Sequence, residues 1–378
     1  MTKDSIKKGL EGIVVTESQL SYINGIEGVL IYRGYPIEEL AEKSTFEEVL
    51  YLLWHGELPS SDLLTEFTED LSNHREIDPG MDKIIMELAD QNENSMAALR
   101  TMISMLSGYD PNKKDTKNLD VVLQQGANVT AKMPTLLAAF HRARSGKEII
   151  PPRPDLNHAA NFLYMLSGEE PNETTAKTLD TALILHCDHG INASTFSARV
   201  TLSTLSDLYS AITSAIGTLS GPLHGGANQN VMKMLLDIDK SNVDPIEWVK
   251  NSLQSGNKIP GFGHRVYKIK DPRATILGGM SKSLGLSSGD MRWYDYSISI
   301  ESYLSQEKGL ASNVDFYSGS AYYQMGIPID LYTPIFALSR VGGWVGHSIE
   351  QLSDNRLIRP RANYIGPSDM TYIPIDER

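Results

Sequence analysis

The chain has 378 residues, a formal net charge of -13 at pH 7 and an isoelectric point near 5.2. This length exceeds the usual size of one hydrophobic core, so two packed units are expected, and the acidic balance argues against nucleic acid or an anionic membrane as a partner. The single cysteine, Cys187, excludes an intrachain disulfide framework, and no apolar run has the length of a membrane span. We therefore expect a cytoplasmic protein.

The first predicted elements are short strands. Residues 13–35 alternate apolar and polar residues on either side of the turn signal Asn24-Gly25, and they form the one β region that the sequence predicts. The pattern becomes helical at Ser44, where Ser44-x-x-Glu47 matches a capping box.

The first predicted helix has an apolar stripe at Val49, Leu52 and Leu53 and a C-terminal stop at Gly56. The same pattern of apolar stripes bounded by Gly, Pro or Asn continues along the chain. It predicts further helices at about 61–73, 81–90, 94–107, 119–143, 155–167 and 173–188.

The second half of the chain repeats this pattern. Asp244-Pro245 and Asp271-Pro272 each begin a helix with proline at the first helical position. The helix after Asp271 should bury one face, and a long helix near 290–306 should bury its aromatic residues. The buried face of the helix after Asp271 consists of Ile276, Met280 and Leu284. The buried stripe of the helix near 290–306 consists of Trp293, Tyr296, Ile300, Tyr303 and Leu304. Many short helices with little strand predict an all-α protein.

A glycine-rich run from Gly217 to Asn230 has His224 at its centre. Glycines on both sides let backbone and ligand approach closely. The run precedes an amphipathic helix with its apolar stripe at Val231, Met234, Leu235 and Ile238, and the positive end of that helix disfavours imidazolium. A neutral, hydrogen-bond-donating His224 and an incidental histidine in an interhelical turn are both open interpretations.

A second glycine-flanked loop, Ile259 to Tyr267, presents His264. Five basic residues crowd this region with only Asp271 opposing them, and Arg273 falls in the first turn of the helix that Asp271 opens. The five are Lys258, Arg265, Lys268, Lys270 and Arg273. Such an imbalance in an acidic chain suits a polyanionic ligand, and a solvated basic face is the alternative.

Two other clusters contain candidate functional groups. His186, Cys187, Asp188 and His189 end an apolar helix, which suits either a polar rim of a ligand pocket or, alternatively, a metal site. Asp315 stands among apolar and aromatic neighbours, where partial burial would raise its pKa and strengthen it as a base, although a helix-capping role is equally open. Arginines suited to carboxylate binding follow at positions 340, 359 and 361.

These groups together indicate acid–base chemistry on a polycarboxylate. Two neutral imidazoles, one half-buried aspartate and several arginines suit removal of a proton next to a carbonyl. Neither a nucleophile elbow nor a Walker or dinucleotide glycine loop is present in the sequence. The residues alone lead no further.

Three motifs, in this order, resemble the citrate synthase family. They are Gly-Pro-Leu-His-Gly-Gly-Ala-Asn around His224, Pro-Gly-Phe-Gly-His-Arg-Val-Tyr with the later Asp-Pro-Arg, and Asn-Val-Asp-Phe-Tyr-Ser-Gly around Asp315. The resemblance covers almost the whole chain, and the length resembles the short dimeric archaeal and bacterial form. It implies a nearly all-α fold in which a large domain, 1–217 and 323–378, is interrupted by a small domain, 218–322.

The resemblance also implies roles for individual residues. Asp315 would take a proton from the methyl group of acetyl-CoA, His224 would hydrogen-bond the thioester oxygen, and His264 would protonate the carbonyl of oxaloacetate. The dicarboxylate would be held by His189, Arg273, Arg340 and Arg359, the last in the partner subunit's site. The expected CoA-binding residues are Lys258, Ile259, Pro260, Gly261, Phe262, Gly263, Lys268 and Lys308.

The resemblance implies a homodimer that needs neither a metal nor a further cofactor. The nearest alternative is a 2-methylcitrate synthase, which uses propionyl-CoA at the same kind of site, and one methylene changes discrimination by only about 1–3 kcal/mol. A non-catalytic CoA or dicarboxylate sensor and a metal-dependent hydrolase are the alternatives from other functional classes.

Overall fold

The computed structural model describes residues 6–263 and 266–378, and the regular structure in these ranges is almost entirely helical. An antiparallel sheet near the N-terminus contains β1 (Ser21–Asn24), β2 (Val29–Tyr32) and β3 (Tyr35–Pro36), in that order. The predicted turn joins β1 to β2, and the Asn24 side chain stabilises it by accepting hydrogen bonds from the backbone N–H groups of Ile26 and Glu27.

Sixteen α-helices occur in the described residues, which confirms the all-α prediction. The first ten are α1 (Ile37–Lys43), α2 (Phe46–His55), α3 (Ser61–Asn73), α4 (Met81–Asp90), α5 (Ser95–Leu106), α6 (Leu119–Arg144), α7 (His158–Ser167), α8 (Glu173–His186), α9 (Ala193–Ser203) and α10 (Leu208–Leu219). The remaining six are α11 (Ala227–Ser241), α12 (Pro245–Gln254), α13 (Pro272–Ser288), α14 (Arg292–Lys308), α15 (Val314–Gln324) and α16 (Tyr332–Ser353).

The predicted capping box at the start of α2 is wrong by one residue. Ser44 is the C-cap of α1, and Thr45 is the N-cap of α2, accepting a hydrogen bond from the backbone of Glu48. Glu47 cannot reach back to the cap, because its carboxylate is buried and accepts the backbone N–H of His158 at 2.7 Å. Glu47 therefore makes a tertiary hydrogen bond rather than a capping one.

The buried face of α13 also differs from the prediction. Leu284 is buried as predicted, but Ile276 and Met280 are only half-buried, whereas Ala274, Gly278 and Ser281 are fully buried. These small residues allow α15 to approach closely, and a Cβ on Gly278 would lie 3.3 Å from the Tyr317 ring. Close helix packing as well as apolar bulk therefore decides which face is buried.

The central helix of the fold is α16, which is buried over most of its length and packs against α2, α6, α8, α9 and α10. It has glycines where α8 ends, and a Cβ on Gly342 would lie 2.6 Å from the Cys187 Sγ atom. The thiol of Cys187 is fully buried at this contact. This close approach brings the end of α8, and the candidate residues there, against Arg340 of α16.

Helices α11 to α15 pack largely on one another, with α13 and α11 against α15 and with α12 and α13 against α14. The aromatic stripe of α14 is part of this packing, as predicted, and Trp293 stacks edge to face on Tyr323 with ring centroids 4.9 Å apart. Among the described helices, none combines the length and apolarity that crossing a lipid bilayer requires.

Candidate active site

His224 lies in a short loop between α10 and α11. The loop is shorter than predicted, because Gly217, Thr218 and Leu219 form the end of α10. A Cβ on Gly225 would lie 2.4 Å from the backbone oxygen of Leu219, so glycine is required where the loop folds back on that helix. The half-buried imidazole is thereby held between two helix ends.

The hydrogen bonds of His224 define its tautomer. The backbone N–H of Ser194 donates to Nε2 at 3.2 Å, and the Ser194 Oγ atom is 2.8 Å from the same nitrogen. Because a backbone N–H can only donate, Nε2 has the lone pair and Nδ1 has the proton in the neutral ring. His224 therefore offers an Nδ1–H donor.

The imidazole of His224 is neutral at pH 7, as predicted from the sequence. Burial, and next the positive charge of Arg340, lower its pKa to about 4. The helix terminus proposed from the sequence is not among the causes of this shift.

Ser194 is a site residue that the sequence analysis missed. Its hydroxyl accepts a hydrogen bond from the indole N–H of Trp344 at 3.2 Å and donates to Asn192 Oδ1 at 2.8 Å. The hydroxyl has one proton, for which Asn192 competes with His224. Asn192 is also the N-cap of α9, and this capping signal is what the sequence offered for finding the segment.

Asp315 lies in the first turn of α15, at its positive end. The N-cap is Asn313, which accepts the backbone N–H of Asp315 at 3.0 Å, so the capping role considered for Asp315 belongs to its neighbour. Burial raises the pKa of the Asp315 carboxyl to about 6, although the positive charge of Arg273 opposes the shift. The carboxylate is therefore a stronger base than a surface aspartate.

The segment that leads to the second predicted catalytic histidine pairs with the segment before α15. Gly263 N–H donates to the backbone oxygen of Ala311 at 3.0 Å, and Asn313 N–H donates to that of Gly261 at 2.9 Å. Gly261 has a φ of +82°, and a Cβ there would lie 2.8 Å from Phe316. His264 itself lies outside the described residues.

The two central arginines are buried in different electrostatic surroundings. Arg273, in the first turn of α13, makes a bidentate ion pair with Asp271 at 3.0 and 2.8 Å. Arg340 donates from Nε to the backbone oxygen of His186 at 2.6 Å and lies 4.6 Å from the ring centroid of Phe336. In the described parts of the chain, Arg340 forms no ion pair with a carboxylate, and burial lowers its pKa. An anionic ligand would compensate this buried charge.

His189 lies just after α8 and contacts Tyr267, which in turn lies near Arg273. Helix α8 ends at His186, two residues before the predicted end, which leaves His189 in the connection to α9. Its Nε2 lies 3.3 Å from the hydroxyl of Tyr267, and the ring of Tyr267 lies 6.0 Å from the Arg273 guanidinium. Tyr267 is a second site residue that the sequence analysis quoted in a motif without assigning it a role.

The side chains at the end of α8 have partners other than a metal. His186 Nδ1 donates to the backbone oxygen of Ala182 at 2.7 Å, and the Asp188 carboxylate pairs with His347 at 3.2 Å. Within residues 6–263 and 266–378, no three side chains of metal-binding type converge on a common point. The geometry favours the ligand-pocket interpretation of this cluster.

Arg340 is the common neighbour of the two acid–base candidates. Its positive charge lowers the pKa of both His224 and Asp315. Arg273 likewise lowers the pKa of Asp315. A neutral imidazole with a defined donor, a carboxylate of raised basicity and two buried guanidinium groups are thus linked by electrostatic interactions through Arg340.

The sequence model of the family described as "Citrate synthase, C-terminal domain" matches residues 9–361. The chain belongs to the citrate synthase family. The resemblance inferred from the three motifs is confirmed, and the chain is an enzyme of a family that transfers acyl groups by condensation.

Relatives of this citrate synthase family member span its whole length. A citrate synthase of Haloferax volcanii is 60% identical over 99% of both chains. A 2-methylcitrate synthase 1 of Corynebacterium glutamicum is 40% identical over 100% of both chains, so the family resemblance by itself includes both activities.

Solved structures of family members share the fold. The crystal structure of citrate synthase from Pyrobaculum aerophilum has a TM-score of 0.92 and 41% identity, covering 99% of this chain and 95% of that one. A ternary complex of citrate synthase from Thermoplasma acidophilum with carboxymethyl coenzyme A and oxaloacetate has a TM-score of 0.90 and 34% identity, covering 99% of both chains.

The predicted CoA-binding residues fall into two groups in this family member. Lys258, Ile259 and Pro260 line a groove that α11 and α12 complete, and Phe262 stacks on Phe316 with ring centroids 4.6 Å apart. Lys268 lies in the loop before α13, and Lys308 is the exposed last residue of α14. Several other residues line this groove and were not predicted as CoA contacts from the sequence, among them Lys233 of α11 and Trp248 of α12.

Fewer residues of the basic cluster are available to bind an anion than the sequence suggested. Lys270 forms an ion pair with Glu301 at 2.8 Å, and Arg273 pairs with Asp271. Two of the five basic residues are therefore already neutralised. Arg359 lies exposed after α16, where its side chain makes no hydrogen bond or ion pair with any described residue of its own chain.

Proposed function

We propose that this protein condenses acetyl-CoA with oxaloacetate and water to give citrate and CoA. The observation that carries the proposal is the arrangement of Asp315, a base of raised pKa, and His224, a neutral donor, around the buried charge of Arg340. The similarity to named citrate synthases supports the same reaction.

In the first step, Asp315 takes a proton from the methyl group of acetyl-CoA. The electron pair of the broken C–H bond moves toward the thioester oxygen, where the Nδ1–H of His224 donates a hydrogen bond to the developing enolate. A neutral imidazole suits this role, because its pKa of about 4 keeps the ring uncharged and the hydrogen bond from the Ser194 N–H to Nε2 leaves the proton on Nδ1. Donors fixed before the reaction stabilise such charge most effectively.

In the second step, the enol carbon attacks the ketone carbon of oxaloacetate. His264 protonates the ketone oxygen, while His189, Arg273 and Arg340 hold the two carboxylates. The buried Arg340 supports this assignment, because charge-assisted bonds to a carboxylate would balance it. Water then hydrolyses the citryl-CoA thioester, releasing citrate and CoA.

We further propose that residues 218–322 close over the bound substrates and that the enzyme is a cytoplasmic homodimer without a metal or added cofactor. The mutual packing of α11 to α15 supports a separate small unit. The exposure of Arg359 supports its assignment to the partner subunit's site. CoA would lie along the segment 258–263, with Lys268 and Lys308 as candidate phosphate contacts.

The alternative substrate is propionyl-CoA, and the similarity to a 2-methylcitrate synthase is the observation that favours it. The ratio of kcat/KM for acetyl-CoA and propionyl-CoA, measured by CoA release with saturating oxaloacetate, decides between them. We expect acetyl-CoA to be preferred, and a preference for propionyl-CoA would reverse the assignment. Full activity after exhaustive treatment with EDTA would contradict the metal-dependent hydrolase.

A further inference from the structure

We propose that the N-terminal hairpin formed by β1, its turn and β2 is a positioning element that holds together the two loops of the dicarboxylate site, with Ser21 and Gly25 as its positioning residues. This inference rests on the proposed function. The hairpin contacts the His189 loop, 188–190, at one end and the loop 266–269 at the other. These loops are far apart in the sequence, so an element that binds both would set their spacing.

At the first end, both strands of the hairpin hold Asp188. Ser21 of β1 donates its hydroxyl to the Asp188 carboxylate and accepts the N–H of Gly190 at 3.1 Å. Tyr32 of β2 donates its hydroxyl to the backbone oxygen of Asp188 at 2.7 Å and accepts its N–H at 3.0 Å. These hydrogen bonds hold Asp188 and Gly190, the residues on either side of His189.

The register of the sheet explains why two residues meet at one aspartate. Ser21 and Tyr32 are directly opposed partners in the antiparallel pair, so both side chains project from the same place and face. Asp188 is fully buried and also pairs with His347 of α16. The hairpin is therefore fixed to the centre of the fold as well as to the loop.

At the second end, the β1–β2 turn lies against the loop 266–269. The N–H of Lys268 donates to the backbone oxygen of Gly25 at 2.8 Å. A Cβ on Gly25 would lie 2.0 Å from the backbone oxygen of Val266, and one on Gly28 would lie 2.9 Å from the Ile269 side chain. At Gly25 the contact between the turn and the loop is thus between backbones, at a distance that only glycine permits.

The two loops also meet each other between these ends, where His189 Nε2 lies 3.3 Å from the Tyr267 hydroxyl. The hairpin, the His189 loop and the loop 266–269 therefore form a closed set of contacts beside Arg273. A change in the hairpin would move the imidazole and the phenol that face the dicarboxylate, and an ångström of displacement is costly at a site of this kind.

The test is the affinity for oxaloacetate without acetyl-CoA, measured by isothermal titration, together with the unfolding temperature without ligand. Gly25→Ala should raise the dissociation constant at least about 10-fold, because the Val266 carbonyl must move by an ångström or more. Gly279→Ala is the matched control: neither glycine has a positive φ, but a Cβ on Gly279 meets no atom within 4 Å. We expect wild-type affinity for this control.

A second pair of variants changes the other end of the hairpin. Ser21→Ala removes the hydroxyl between Asp188 and Gly190 and should weaken oxaloacetate binding about 3–10-fold, whereas Ser21→Thr retains the hydroxyl and should restore affinity. This pair decides the matter if Gly25→Ala does not fold.

Gly25→Ala and Ser21→Ala variants that bind oxaloacetate within twofold of the wild type would overturn the inference. So would a lower unfolding temperature with unchanged affinity of the folded protein, since that result indicates a structural role only. A wild-type protein that does not bind oxaloacetate would instead contradict the proposed function, so the two failures are distinguishable.

Discussion

Burial shifts the pKa values of Asp315 and His224 in opposite directions, to about 6 and about 4. Both shifts have the same physical origin, because low polarity disfavours the charged form of either group. At pH 7 the aspartate is still mostly ionised, whereas the histidine is neutral. The pair therefore combines a carboxylate that can accept a proton with a neutral imidazole that donates a hydrogen bond.

Replacing Asp315 by Asn should lower kcat at least about 100-fold, because the amide keeps the shape of the carboxylate without its basicity. Affinity for oxaloacetate should persist, since the arginines and His189 are unchanged. Exchange of the acetyl-CoA methyl protons with solvent, measured with the dicarboxylate site filled, isolates this step. Exchange at the wild-type rate would show that Asp315 is not the base.

The pH dependence of the wild type tests the same assignment. The kcat/KM for acetyl-CoA should fall as the pH falls through about 6, since protonated Asp315 cannot accept the methyl proton. The pKa of the folded state lies above that of an unfolded aspartate, so Asp315 favours the folded state at low pH and this contribution disappears as the pH rises through about 6. Asp315→Asn should consequently be more stable than the wild type at pH 8 in urea denaturation.

Arg340→Leu should weaken oxaloacetate binding by about 1.5–3 kcal/mol, the usual contribution of a hydrogen bond to a charged group. Stability without ligand should not fall to the same degree, because burial already disfavours the unpaired guanidinium. Calorimetric titration measures the first quantity and thermal unfolding the second. Arg340→Lys should be intermediate in affinity, because lysine retains the charge without the planar fork. An unchanged dissociation constant for Arg340→Leu would remove this residue from the dicarboxylate site.

At the scale of elements, Glu301 of α14 connects the segments that carry the site. Its buried carboxylate accepts hydrogen bonds from Ser312, just before α15, and from the Tyr317 hydroxyl at 2.7 Å. It also pairs with Lys270, in the loop before α13. Burial raises the pKa of Glu301, but these three partners outweigh burial and hold the pKa below its usual value.

Glu301→Gln should lower the free energy of unfolding by about 1–3 kcal/mol at pH 7, because a neutral amide replaces an acceptor of several charge-assisted bonds. A depressed carboxyl pKa gives stability above the unfolded-state pKa and loses it as the pH falls through the folded-state value, so the difference from wild type should shrink as the pH falls below the ordinary pKa of a glutamate. Urea denaturation at several pH values measures it. Glu307→Gln, an exposed change on the same helix, is the control. A deficit that did not change with pH would indicate lost packing rather than lost charge.

Strong local signals made several elements predictable. Helices α3 and α4 begin and end where the sequence indicated, and the apolar stripes of α2 and α11 are buried as expected. Helices α1, α9, α10, α15 and α16 were not individually predicted, and in α9, α15 and α16 many of the buried positions are small or polar. Such positions are buried by close neighbours, which are not visible in a local pattern.

The same limit applies to the candidate site. His224, Asp315 and the arginines were identified from motifs, and each motif consists of residues that are adjacent in the sequence. Ser194 and Tyr267 act through contacts with distant segments, and Glu47 is removed from its expected cap by such a contact. Long-range hydrogen bonds therefore account for most of what the sequence could not predict.

At the scale of the whole molecule, the position of Arg359 bears on whether catalysis requires two copies of the chain. Its exposed side chain follows α16 on a C-terminal segment whose residues are almost all exposed. If two copies exchange this arginine, each site combines residues of both chains. Complementation between two inactive chains can then reveal the arrangement.

Heterodimers of an Arg359→Leu chain and an Asp315→Asn chain should recover about half of the wild-type activity. If the arginine serves the partner's site, one of the two sites has both intact residues, whereas an arginine acting in its own chain leaves none. Coexpression with two affinity tags and purification on both gives the mixed species, and CoA release gives its rate. Activity no higher than that of the two parent homodimers would place Arg359 in the site of its own chain.

The burial of Cys187 against Gly342 gives the protein an internal chemical reporter. Burial also raises the pKa of the thiol, so a maleimide or disulfide reagent can react only when α8 separates from α16. The modification rate then measures how often the helix next to Asp188 and His189 opens. A bound dicarboxylate, by holding that helix end, should slow modification in proportion to its occupancy, and mass spectrometry can follow this in the unmutated enzyme.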